Sequence, residues 1–134
     1  MVRSGGVEFR NQVPEDRAAA VLRASDALLV SLSPDPVLES FVPSKLFDFC
    51  ALGRPVVLAA NGEPQRLAEG VRAAVPVPAG DAEALAAAIR RLRDDSAEAG
   101  AVADAGRRFA AENLRDRQLA QLEALMEDVG SARR

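Results

Sequence analysis

The sequence contains no histidine, tryptophan or tyrosine, a single cysteine (Cys50), a single lysine (Lys45), and five phenylalanines as its aromatic residues. Without histidine there is no imidazole to act as a general base, and a His/Cys zinc centre has no ligand set. One cysteine excludes an internal disulfide framework. The longest uncharged runs, such as residues 27–34, fall far short of the roughly 20 apolar residues that span a bilayer as a helix. Met1–Arg10 lacks the apolar segment of a secretory signal. An excess of positive charge is also missing: 17 basic against 20 acidic residues leave a net charge of −3. Non-specific nucleic-acid binding wants a basic surface, and none is offered. The expected compartment is the cytoplasm.

What is present reads as an ordinary globular chain. Its 134 residues are 49% hydrophobic and 28% charged, which argues for one packed domain over 1–134 and against wholesale disorder. Alanine is roughly a fifth of the chain, well above typical usage. Of the 17 basic residues all but Lys45 are arginine. Against that background a lone lysine either survives by chance or marks a place where a compact ammonium is preferred.

Strand and helix patterns alternate. Val7–Phe9 reads as a short strand after Gly5-Gly6. Pro14 at a first helical position, with Glu15 and Asp16 in the first turn, opens a helix to about Ala24 with Val21 and Leu22 on its buried side. Ala27–Leu32 is a continuous apolar stretch, the pattern of a strand buried on both faces of a parallel sheet. Pro34 and Pro36 force an extended loop. Pro43 restarts helix: Leu46, Phe49, Cys50 and Gly53 follow helical spacing, and Gly53 stops it. Pro55–Ala60 is a second buried strand, Asn61-Gly62 a turn, and Pro64 to about Gly70 a short helix. Val75–Val77 is a weak strand that Pro76 assigns to an edge. Asp81 caps a helix to about Arg93 that presents Leu85, Ile89 and Leu92 on one face. Helices over 97–113 and 116–129 follow, with Leu119, Leu122, Leu125, Met126 and Val129 at helical spacing, and Gly130–Arg134 should fray. The expected fold class is α/β: a partial Rossmann-like parallel sheet of about four short strands, with crossover helices and a helical C-terminal tail that closes the domain.

In open α/β sheets ligands sit outside the carboxyl ends of the strands. The connection from Ala27–Leu32 into the helix at Pro43 is therefore the candidate site. With Pro43 as first helical position, Val42 becomes an N-cap with no side-chain oxygen, and the first-turn amides of Ser44 and Lys45 lack acceptors. Those amides, the Ser44 hydroxyl and the Lys45 ammonium suit a phosphate. Asp48 lies on the same face and suits sugar hydroxyls. The plainer reading is a solvated helix start, with Lys45 and Asp48 as a weak surface ion pair. Cys50 reads as a small core residue, and Asp81 as a cap only. A receiver domain's acidic pair and a dinucleotide site's G-x-G-x-x-G are both absent.

The stretch 41–57, Phe-Val-Pro-Ser-Lys-Leu-Phe-Asp-Phe-Cys-Ala-Leu-Gly-Arg-Pro-Val-Val, resembles the signature of bacterial family 4 glycosyltransferases of the GT-B fold. It is nearest the surface-polysaccharide branch with its P-S-K motif. Val7–Phe9, Ser25-Asp26 before the next strand, Gly80-Asp81 with Glu83, Leu85 and Ile89, and Gly106-Arg107 resemble the flanking motifs, so the likeness runs over about 6–128. The resemblance implies a retaining, metal-independent transferase with no cofactor beyond a nucleotide-sugar donor, taken to be UDP-linked. It implies that Pro43, Ser44 and Lys45 face the donor's diphosphate and sugar, and that Asp48 holds the ribose. The family usually has Glu at that position. Many members also carry an acid eight residues earlier, where this chain has Ser40 with Glu39 beside it.

A complete GT-B enzyme has two Rossmann-like domains. The acceptor domain and the opening strands of the donor domain have no counterpart here, so the resemblance implies a truncated chain that lacks turnover without its N-terminal half or a second chain. The strand Val7–Phe9, deprived of its usual neighbour, must re-pair, pair with another chain or stay loose. Acceptors in this branch are often lipids, which adds peripheral membrane association to the expectation. The competing expectations are a noncatalytic nucleotide- or phosphate-binding module and a structural remnant with an empty site.

Overall fold

The computed structural model describes residues 2–4 and 6–132, with side chains over 6–127. The described residues form five strands and six α-helices: β1 (Val2–Ser4), β2 (Val7–Phe9), α1 (Glu15–Ala24), β3 (Leu28–Ser31), α2 (Ser44–Ala51), β4 (Val56–Ala59), α3 (Glu63–Val71), β5 (Val75–Val77), α4 (Ala82–Asp94), α5 (Ser96–Glu112) and α6 (Arg115–Ala132). A 3-10 turn over Pro36–Ser40 interrupts the loop before α2. The α/β class stands, and its centre is a parallel sheet in the order β3-β4-β5. Leu28 lies opposite Val56, and Val57 opposite Val75.

The sheet has two faces because side chains alternate along each strand. On one face Leu28, Val30, Val56 and Leu58 pack with Leu46 and Cys50 of α2, Ala68 of α3 and Phe109 of α5. On the other, Val57, Ala59, Val75 and Val77 meet Ala88 and Leu92 of α4. β4 is buried at all four positions, as a central strand must be. Phe47 stacks on Phe109 with ring centroids 5.1 Å apart, which ties α2 to α5. Gly106 lets α5 approach closely, since a Cβ there would sit 3.2 Å from the Ala73 carbonyl and 3.4 Å from Cys50.

Several expectations are corrected. The parallel sheet has three strands rather than four, because Val7–Phe9 re-pairs antiparallel with Val2–Ser4. Gly6, at φ +85°, turns the chain in the left-handed region, and a local hairpin costs far less loop-closure entropy than a crossover. β3 is not buried on both faces: Leu28 and Val30 are buried, Leu29 and Ser31 exposed. Among the described residues no helix buries that second face at Leu29 and Ser31. On α1, Leu22 packs against the core and Val21 stays exposed. Ile89 of α4 is likewise exposed, while Leu92 is buried. The C-terminal tail closes the domain only as far as α5. Leu119, Leu122, Leu125 and Met126 of α6 all stay at least half exposed. The helix itself runs on to Ala132, so the backbone over 130–132 keeps helical form, and the end of the expected frayed segment, Arg133 and Arg134, lies outside the described residues.

Pro76 does place β5 at an edge. Asp81 does cap α4, its carboxylate accepting from the Ala84 amide at 2.8 Å. Asp95 does the same for α5 through Glu98 at 2.9 Å.

Candidate functional site

The helix start sits one residue later than the sequence implies. Pro43, with φ −70° and ψ 134°, is the N-cap of α2, and Ser44 and Lys45 are its first two helical residues. Val42 is therefore not the cap. Pro43 is buried, and its carbonyl accepts from the Leu46 amide at 3.0 Å. An extended proline satisfies its own geometry in that position and leaves the tip as bare as before, because it offers no side-chain acceptor. The amides of Ser44 and Lys45 have no intrahelical partner, and no side-chain cap is made.

That tip opens on a cavity of about 510 Å³ lined by Leu29–Leu32 of the third strand and its exit, by Phe41 and Phe49, and by Pro43, Ser44 and Lys45. Three of the four expected site residues are thus together at the carboxyl end of β3. Asp48 is not among the lining residues; it is exposed one turn further along α2. Lys45 and Asp48 form no ion pair with each other or with any other described residue. Both are solvent-facing, so the ammonium and the helix tip present positive potential to the cavity mouth without an internal counter-charge.

The loops leaving the three parallel strands lean on one another. Gly62, at φ +72°, caps α3 and lies against the backbone of Glu39, so any side chain there would run into that carbonyl. Gly80 at φ +80° sits against Pro34, whose Cγ would lie 3.5 Å from a Cβ on it. Asn61 accepts from the Ala79 amide at 3.0 Å and so joins the exits of β4 and β5. Asp35 starts the 3-10 turn by accepting from the Val37 amide at 2.9 Å. Glu39 and Ser40 lie on this turn, both exposed, ahead of the α2 tip. Sequence reasoning named Asn61 only as part of a turn. Its position directly after an apolar strand was the available sign that its side chain would hold loops together.

Cys50 is a core residue. It is fully buried, its thiol donates weakly to the Ala73 carbonyl at 3.5 Å, and burial pushes its pKa up to about 11. Arg107 belongs to the scaffold: it pairs with Asp104 and donates to the Gly53 carbonyl at 3.4 Å, which bridges α5 to the end of α2. Gly53 takes the left-handed conformation there, φ +68°.

These features define a class: a helix-flanked parallel α/β domain with an open crevice where the strands end. The profile of the family Glycosyl transferases group 1 matches residues 2–95, and the chain belongs to that family. No curated protein and no solved structure matches the chain. The matched segment carries the hairpin, the whole parallel sheet, the α2 tip and α4, and stops at the cap of α5. Gly106-Arg107 lies beyond it. Membership implies glycosyl transfer and a sugar donor. No helix among the described residues is long and apolar enough to cross a membrane.

Proposed function

We propose that this chain is the donor-binding part of a family 4 glycosyltransferase of the surface-polysaccharide branch, and that its ligand is a UDP-sugar. The observation that carries the reading is the uncapped start of α2, with Ser44 and the only lysine at the mouth of a cavity at the end of β3. In this reading the two free amides and the Ser44 hydroxyl hydrogen-bond the donor's diphosphate. Lys45 supplies a full positive charge, and Pro43 holds the tip in place. Charge grows on the diphosphate as the glycosidic bond breaks, so fixed donors and a cation aimed there stabilise the transition state without a metal. Retention of configuration goes with that family assignment.

Asp48 is assigned to the ribose hydroxyls. Asp is one methylene shorter than the Glu usual at this position, so the contact is weaker than its relatives make. The chain is read as incomplete: transfer requires the acceptor half, supplied by an N-terminal domain or a separate chain. Binding should therefore be measurable where turnover is not.

Calorimetric titration with UDP and UDP-sugars tests this. Loss of a charge-assisted hydrogen bond is worth about 1.5–3 kcal/mol, so Lys45→Ala should weaken UDP binding by on the order of tenfold or more. Asp48→Asn should weaken UDP more than inorganic diphosphate. Absence of heat at millimolar UDP would leave a structural remnant as the better reading. Binding without transfer, even after the N-terminal half is added, would leave a noncatalytic nucleotide module.

A further inference from the structure

A separate cavity of about 580 Å³ opens where β5 begins, between the last turns of α3 and α4 and the body of α5. The three sheet strands are parallel, so the start of β5 lies at the opposite end of the sheet from the exit of β3. No lining residue is shared with the cavity at the α2 tip. Val71, Pro76 and Val102 give it an apolar wall, and three arginines, Arg72, Arg91 and Arg108, line it against two acids. Both acids are engaged. Glu98 pairs with Arg91 at 2.9 Å, and Gln65 donates to Glu69 at 3.1 Å. The guanidiniums of Arg72 and Arg108 have neither hydrogen bond nor ion pair among the described residues. Two uncompensated cations thus border one apolar-walled cavity in a chain of net charge −3.

Arg72 is also strained. It ends α3 at φ 53° and ψ 26°, the one described residue other than glycine at positive φ. Glycine is the usual residue in such a helix end, because a Cβ is disfavoured there. Strain of this kind persists where something offsets it, and no hydrogen bond or ion pair of the Arg72 side chain does so.

We propose that this cavity binds a small organic phosphate, a monoester whose dianion lies between Arg72 and Arg108 and whose carbon part lies on Val71, Pro76 and Val102. Two free cations match the near-double charge of a phosphate monoester better than the single charge of a carboxylate. Planar guanidinium forks also bind its oxygens in pairs. A peptide strand is not the occupant. The Val77 carbonyl accepts from the Ala60 amide at 3.1 Å, so alternation turns Pro76 outward, and that edge lacks the donor an added strand needs. The site stands whether or not the α2 tip holds UDP.

Calorimetric titration of the full chain with hexyl phosphate, inorganic phosphate and hexanoate tests this. Hexyl phosphate should bind tightest, since inorganic phosphate lacks the apolar part and hexanoate the second charge. Arg108→Gln should weaken hexyl phosphate on the order of tenfold or more. Arg72→Gly should weaken it similarly while holding the urea midpoint at or above that of the parent, which separates lost affinity from lost fold. No heat at millimolar hexyl phosphate overturns the proposal. So does equal affinity for hexyl phosphate and inorganic phosphate. An affinity that survives both substitutions, as it would with the phosphate at the α2 tip, overturns it too.

Discussion

β3 and β4 are written in nearly the same letters, Leu-Leu-Val-Ser and Val-Val-Leu-Ala, and end in different environments. β4 is paired along both edges and covered on both faces, with Leu58 and Val56 fully buried. β3 is paired along one edge and covered on one face, with Leu29 43% exposed. A run of aliphatic residues specifies an extended segment and an appetite for burial, but the neighbours that satisfy the appetite come from elsewhere in the chain. The difference therefore reports what surrounds each strand rather than what each strand is.

The sharpest way to test that contrast is to cut the same amount from each strand. Leu58→Ala should cost about 2–5 kcal/mol, the range for a fully enclosed leucine whose surroundings cannot collapse. Leu29→Ala should cost under ~1 kcal/mol, since half its surface already meets water. Urea unfolding with a constant m-value measures both. Equal losses would mean that the second face of β3 is covered in solution.

A second test uses pH on the covered face. Burial raises the Cys50 pKa from 9.0 to about 11. Below pH 9 the thiol is neutral in both folded and unfolded chains and contributes no pH dependence. As pH climbs from 9 toward 11 only the unfolded chain ionises, so the native state loses up to about 2–3 kcal/mol. Cys50→Ala should remove that alkaline slope, which a urea series at several pH values would detect. In the native chain the thiol should resist alkylation until unfolding.

At the site pole the effect is smaller and more local. Gly62→Ala meets both a left-handed backbone, φ +72°, and the carbonyl of Glu39. It should cost about 1–3 kcal/mol and displace the Pro36–Ser40 turn ahead of the α2 tip. Weakened UDP binding alongside reduced stability is the expected outcome. Unchanged binding would detach that turn from the proposed site.

Much of this architecture was legible in the residues, and the failures share one cause. Local signals held: Pro76 marked an edge, Asp81 a cap, Gly53 a helix stop, and the Ala27–Leu32 and Pro55–Ala60 runs were strands. The α2 tip was located to within one residue, because proline fits an extended N-cap as readily as a first helical position. Non-local facts were lost. Nothing in Val7–Phe9 says that its partner would be Val2–Ser4, and nothing in Leu29 says that its face lacks a helix. Asp48 joins Lys45 in the expected site through helical spacing and through the family resemblance, and neither fixes which way its side chain opens. The cavity that Lys45 borders turns out not to reach it.

The two last helices repeat the lesson with the signs reversed, and they supply the smallest expected effect. α5 is built on small residues, and Ala103, Ala105, Gly106 and Ala110 are buried around the single large anchor Phe109. α6 has the stronger apolar residues, yet Leu122 is 51% exposed and Met126 66%. Size of side chain did not decide burial; closeness of approach did, because Gly106 and its neighbours fit a groove that the α6 leucines have no counterpart for. Phe109→Ala should accordingly cost about 3–5 kcal/mol, while Leu122→Ala should stay within about 0.5 kcal/mol of the parent. Urea unfolding measures both. A loss above ~1 kcal/mol for Leu122→Ala would mean that α6 folds back onto the domain. The bare face of β3, lined by Leu29 and Ile89, would then be the first place to look for it.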